Sequence, residues 1–146
     1  MNIEIVKMSH NHIKQVSFIE SVSFSDAWSE SALSEELDNE TAVFLTAVCD
    51  DFVCGYIGFH HVLDEGYIAL IAVHPDYRRK GIGQALIDKA CKIARELNLS
   101  FLSLEVRVSN IPAQKLYLSC GFENVGLRPN FYQNPKEHAY IMTKYF

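Results

Sequence analysis

A chain of 146 residues with 49% apolar content is long enough to bury one core and short for two, so residues 1–146 are expected to form a single domain. No apolar run approaches the roughly 18 residues of a membrane span, and the polar start around Glu4, Lys7 and Ser9 lacks a secretory apolar core, which makes the cytoplasm the expected location. The formal net charge of −5 argues against direct nucleic-acid binding, which needs positive charge dispersed over a face.

Ser9 is placed to cap a helix over roughly residues 11–22, with Ile13, Val16 and Ile19 on or near one face. A loop over 24–28 holds the single tryptophan, Trp28, and Ser29 can cap a second helix over about 30–38, with Leu33 and Leu37 turned inward. Residues 42–49 and 52–61 read as a β-hairpin turning at Asp50 and Asp51. In a two-residue hairpin Ala47, not Cys49, faces Cys54, so those two sulfurs should not pair. Cys49, Cys54, Cys91 and Cys120 show no CxxC spacing and are expected to be reduced. His60 and His61 are adjacent and point to opposite faces of a strand, so no metal site is expected from them.

Residues 67–73 are apolar on both alternating faces, as in a central strand, and His74, Pro75, Asp76 and Tyr77 stop the run. From Gly81 to about Leu97 the apolar residues Ile82, Ala85, Leu86, Ala90 and Ile93 keep helical spacing. A strand over 101–106, a short helix over 112–120 closed by Gly121, and strands over 122–126 and 139–145 complete the chain. This order implies an α/β fold in which a mixed central sheet is flanked by helices.

Charge is divided along the chain. Residues 15–77 hold twelve Asp and Glu and no Lys or Arg, whereas residues 78–146 hold eleven Lys and Arg against five acids. The first stretch suits a cationic partner and the second an anionic one. Within the second, Arg78, Arg79, Lys80, Gly81, Ile82 and Gly83 stand between a buried strand and an amphipathic helix. Glycines there let backbone N–H groups approach an anion, and the helix directs its positive end at it, as phosphate oxygens require. The pattern is neither a Walker A loop nor GxGxxG, since Leu86 stands at the third glycine position.

Three further residues each admit two readings. Glu105 shares one face of its strand with Phe101 and Ser103; it is either a base in a cleft or a surface carboxylate paired with Arg107. Tyr117 lies on a helix stripe with Ala113 and Cys120, a spacing more typical of a core residue than of a catalyst. Asn110 is the natural N-cap of that helix and can also meet a ligand.

Taken together, Arg78 to Gly83, the run Leu104, Glu105, Val106, Arg107 with Ser109, Asn110, Ala113, Leu116 and Tyr117, and then Gly121 and Phe122, resemble the GNAT family of N-acetyltransferases. The RimI group, ribosomal-protein-alanine N-acetyltransferases of bacteria, is the most similar branch. Arg128, Asn130, Tyr132, Ile141 and Met142 continue the resemblance, and Phe24, Trp28 and Ser29 match its acceptor-side loop loosely. The resemblance implies a GNAT acyl-CoA N-acyltransferase fold and acetyl-CoA as co-substrate, without a metal. It implies that Ile71, Ala72 and Val73 lie along the pantetheine and thioester. Arg78, Arg79, Lys80, Gly81, Ile82, Gly83 and Gln84 would hold the diphosphate, and Asn110 would add a contact. Glu105 would be the general base and Tyr117 the general acid, with Trp28, Arg107 and Tyr132 towards the acceptor.

The implied acceptor is the N-terminal α-amine of a protein, an alanine of a small-subunit ribosomal protein being favoured. A small-molecule amine is the alternative, and a silent acyl-CoA-binding module a further one. A monomer or weak dimer is expected. An α-amine, with a pKa of about 7.7 to 8.0, is partly neutral at pH 7, so a modest base acting through water suffices. A backbone N–H near Val73 would stabilise the developing oxyanion. Tyrosine near pKa 10 is a weaker acid than a thiol near 8.5, about 2 kcal/mol uphill, so Tyr117 is expected to need a hydrogen bond or a shifted pKa. The chain departs from the RimI pattern at Asp26 and Ala27, where Pro is usual before Trp28, and at Pro129, Phe131 and His138. All lie on the acceptor side, so the donor is specified more tightly than the acceptor.

Overall fold

The computed structural model describes residues 2–146. The chain runs β1 (Ile3–Lys7), a 3-10 turn (His10–His12), α1 (Ile13–Ser23), α2 (Glu30–Leu37), β2 (Ala42–Cys49), β3 (Phe52–Val62), β4 (Glu65–Val73), a second 3-10 turn (Pro75–Tyr77), α3 (Ile82–Glu96), β5 (Phe101–Arg107), α4 (Ile111–Ser119), β6 (Glu123–Gln133) and β7 (Lys136–Tyr145). The strands form one seven-stranded sheet in the order β1-β2-β3-β4-β5-β7-β6. Every neighbouring pair is antiparallel except β4 and β5.

Local signals account for most of these elements. Ser29 accepts from the Ala32 N–H and starts α2, and Asn110 accepts from the Ala113 N–H and starts α4. Asp50 and Asp51 both have positive φ, the geometry of a primed hairpin turn between β2 and β3.

The structure departs from the sequence expectations at four places. β1 was not anticipated, because Ile3–Lys7 carries only a short apolar alternation that is completed by pairing with β2. The first helix begins at Ile13, the preceding residues forming a 3-10 turn. A bulge shifts the hairpin register so that Ala47 faces Gly55 rather than Cys54; Cys54 still donates its thiol to the Ala47 carbonyl at 3.3 Å, and all four cysteines are free and buried. Strands β6 and β7 are longer than expected, because β6 is a mostly exposed edge strand whose polar residues and Pro129 hide its pairing.

Two cores lie on the two faces of the sheet. Leu86, Ile87 and Ala90 of α3 pack with Leu102, Leu104 and Val106 of β5 and Tyr117 of α4. On the other face Val16 and Ile19 of α1 and Leu33 of α2 pack on Phe44, Tyr56 and Leu70. Among the described residues no helix is long and apolar enough to cross a membrane.

Candidate active site

The site begins as a failure of strand pairing. β4 and β5 pair only at Glu65↔Phe101, Gly66↔Leu102 and Tyr67↔Ser103, after which β4 continues to Val73 and β5 to Arg107 without pairing to each other. On the β3 side Gly58 faces Leu70 and Phe59 faces Ile68, so Ala69 is an extra residue in β4 at the point of separation. Such a bulge bends a strand and interrupts its ladder. The sheet therefore carries a wedge-shaped gap between two central strands, bordered by backbone groups that need another partner.

Alternation decides which groups border the gap. The His74 N–H donates to the Cys54 carbonyl of β3 at 2.8 Å, so the backbone groups of Val73 and Ile71 point the other way, towards β5. The Val73 carbonyl accepts from Arg78 Nε at 3.2 Å. Side chains of Ile71 and Val73 pack on the α3 side, whereas Ala72 packs on the α1 side.

At the wide end of the gap stands the start of α3. Arg79 and Gly81 have φ of 63° and 80°, conformations that turn the chain sharply into the helix. No side chain caps α3, and its first turn closes with the Ala85 N–H donating to the Gly81 carbonyl at 3.1 Å. The N–H groups of Ile82, Gly83 and Gln84 thus lack helical partners and sit at the positive end of the macrodipole. A Cβ on Gly81 would meet nothing within 4 Å, so the space before the helix is open; one on Gly83 would lie 3.0 Å from Leu116 of α4 and 3.9 Å from Val73. Lys80 lies 5.9 Å over the Tyr77 ring. Exposed Arg78, Arg79 and Lys80 beside free N–H groups fit a diphosphate.

Tyr117 and Glu105 flank the gap from opposite faces of the sheet. Tyr117, 6% exposed, belongs to the α3-side core and packs 5.9 Å from the Phe122 ring. Burial pushes its phenol well above the ordinary value. Glu105 faces away from that core, since its neighbours Leu104 and Val106 fill it. The Glu105 carboxylate is 29% exposed and lies 3.3 Å from Arg128 Nε of β6. The expected alternative partner, Arg107, is engaged elsewhere: it pairs with Glu137 at 3.1 Å, donates to the carbonyls of Asn134 and Pro135, and lies 4.2 Å over the Tyr132 ring. Tyr132 in turn donates its hydroxyl to the Glu105 carbonyl at 3.2 Å. Hydrogen bonding from Ser109, helped by Arg107, holds the Glu137 carboxyl below the usual range.

Two loops meet on the Glu105 side. The Trp28 N–H donates at 2.9 Å to Glu20, a fully buried carboxylate that also accepts from the Tyr56 hydroxyl at 2.5 Å. Ser25 of the same loop donates to the Asn134 carbonyl in the β6–β7 turn. The two segments are therefore tied to one another. Asn110 spends its side-chain oxygen on the α4 cap.

Residues 13–122 match the family model described as Acetyltransferase (GNAT) family. The chain belongs to the GNAT family. It is 39% identical over 131 residues, 89% of this chain and 87% of the other, to a Bacillus subtilis (strain 168) protein provisionally named as a [ribosomal protein bS18]-alanine N-acetyltransferase. Its fold superposes on the crystal structure of the ribosomal-protein-S18-alanine N-acetyltransferase from Escherichia coli with a TM-score of 0.90 and 29% identity, covering 99% of this chain and 94% of that one. A second match is Ard1 from Thermoplasma volcanium, with a TM-score of 0.91, 28% identity and coverage of 99% and 98%. This protein is thus a GNAT acetyltransferase, and its split sheet is the GNAT acyl-CoA N-acyltransferase fold.

Sequence reasoning on this GNAT chain missed Glu20, and it placed Arg128 within the resemblance without its pairing to Glu105. Glu20 carried a readable signal: four residues after Val16, it places an acid on the core face of α1. The pairing of Arg128 with Glu105 carried none, because it is fixed only by how β6 returns along β7.

Proposed function

We propose that residues 1–146 act as one acetyl-CoA-dependent N-acetyltransferase domain whose acceptor is the N-terminal α-amine of a protein, an alanine at the start of a small-subunit ribosomal protein. The observation that carries the catalytic reading is the interrupted β4–β5 pairing, with uncapped α3 and Tyr117 on one side and Glu105 on the other. For the acceptor, the support is the 39% identity across 89% of the chain to the B. subtilis protein, together with an acid-rich stretch over 15–77 suited to a basic peptide.

In this reading Arg78, Arg79 and Lys80, with the N–H groups of Gly81, Ile82, Gly83 and Gln84, hold the diphosphate. Ile71, Ala72 and Val73 border the pantetheine and thioester, the Val73 N–H being turned towards the reacting carbonyl, and Asn110 adds a contact from the start of α4. Bound acetyl-CoA supplies an activated thioester. Glu105 takes the proton of the incoming amine through a water molecule. Tyr117 keeps its proton because burial disfavours the phenolate, which makes it first a hydrogen-bond donor to the departing sulfur and a proton donor only as charge builds there. Trp28, Arg107 and Tyr132 frame the acceptor, the last two by fixing the β6–β7 turn. This chemistry calls for no metal ion and suits a cytoplasmic enzyme.

Incubation with acetyl-CoA and peptides beginning with alanine, alongside polyamines, tests the reading by mass spectrometry. Acetylation at the peptide N-terminus is expected; modification of polyamines alone would overturn the acceptor assignment.

A further inference from the structure

We propose that Arg128 is a specificity-determining residue, which screens the Glu105 carboxylate and thereby selects a neutral α-amine over cationic lysine or polyamine acceptors. The inference rests on the proposed α-amine acceptor and on Glu105 as the base.

Arg128 Nε lies 3.3 Å from Glu105 Oε1. The charged and titratable groups around that carboxylate come from two other strands: Arg128 and Tyr132 of β6, and Tyr67 of β4 with its partner Glu65. Arg107 itself is consumed by Glu137 and the Asn134 and Pro135 carbonyls. Among the described residues, Arg128 is therefore the cation paired with Glu105.

The backbone that carries Arg128 is held in place, while its side chain is 55% exposed. Arg128 faces Ala139 of β7, and just beyond it β6 loses register until Tyr132. In that irregular stretch Asn130 adopts φ 55°, and its N–H donates to His138 Nδ1 at 2.9 Å. Pro129, Phe131 and His138, the residues that depart from the RimI pattern, all flank Arg128, and the Phe131 ring lies 6.0 Å from its guanidinium.

The chemistry follows from which form of an amine reacts. At pH 7 about one α-amine in ten is neutral, but only about one lysine amine in 2,500. An unscreened carboxylate at the acceptor position would hold an ammonium ion beside the base and take its proton through water, releasing the neutral amine in place, which favours the most basic amines. Arg128 cancels that attraction and repels a second cation. Its contact is to Oε1, leaving Glu105 Oε2 to receive a proton through water.

The test compares kcat/KM for a lysine-free peptide with a free N-terminal alanine, an N-terminally blocked peptide with one lysine, and spermidine. Wild type should favour the alanine peptide. Arg128→Gln should lower the ratio of alanine-peptide to lysine-peptide and spermidine activity at least about tenfold. Arg128→Lys, which keeps the charge, should retain the ratio within about threefold. A folded Arg128→Gln protein with an unchanged ratio, or one that loses all three activities equally, would overturn the proposal. Wild type that fails to acetylate the alanine peptide would overturn the acceptor assignment instead.

Discussion

Glu20 is the residue whose removal most directly tests how the loop over 24–28 is held. It is fully buried and receives two hydrogen bonds, from the Tyr56 hydroxyl and the Trp28 N–H. Its presence also helps burial to push the Tyr56 phenol far up, so that hydroxyl remains a donor throughout the working range. Glu20→Ala strands both donors in an apolar core, at about 1–3 kcal/mol each, and leaves a small cavity. A loss of roughly 3–4 kcal/mol is expected, near 10 °C in Tm for a chain of this size. Glu20→Gln is the discriminating control. Its amide oxygen can accept from the Trp28 N–H, while its NH2 meets the Tyr56 oxygen and leaves the phenol proton unpaired, so one of the two bonds survives and the loss is about 1–2 kcal/mol. Urea unfolding followed by tryptophan fluorescence measures both, because the reporter sits at the end of the tether. In activity assays Glu20→Ala should raise KM for an alanine peptide several-fold and leave KM for acetyl-CoA within about twofold. The reasoning fails if Glu20→Ala costs less than about 1 kcal/mol at unchanged m-value, or if Gln is as harmful as Ala.

Gly81→Ala forces a Cβ into the left-handed region with nothing within 4 Å to clash, so its whole cost is conformational, about 1–2 kcal/mol; the expected result is a lower Tm with a raised KM for acetyl-CoA, measured with the peptide saturating. Tyr117→Phe removes one hydroxyl and keeps the ring packed on Phe122, so Tm should hold while kcat falls about 10²-fold; unchanged turnover would dismiss the acid role. Burial lowers the His12 pKa below its ordinary 6.5, and its Nδ1 accepts from the Ser9 N–H at 3.0 Å. Its contribution to stability is therefore complete above pH 6.5 and lost as pH falls below that value. Urea midpoints taken between pH 7.5 and 5, in wild type and in His12→Gln, should show a steeper acid decline in wild type.

The sequence by itself determined the elements whose signals are local. Ser29, Asn110, the Asp50 and Asp51 turn and the apolar spacing of α3 act over four residues or fewer, so capping, turn sterics and helical period specify them without reference to distant segments. The Arg78 to Gly83 loop was legible for the same reason: its glycines and charges adjoin a helix start. Tertiary structure alone decided what stands beside that loop. The parting of β4 from β5 after Tyr67 depends on two strands that meet across α3. It decides that Glu105 and Tyr117, which a strand and a helix pattern could each assign to the surface or core, flank one gap from opposite faces. Nor could the sequence show that Glu105 would take Arg128 while Arg107 went to Glu137. Both arginines are close enough in a folded sheet and neither is a neighbour along the helix period; only the register of β5, β7 and β6 separates them. Period and turn chemistry set which face a residue occupies, and packing of distant segments sets whom it meets there.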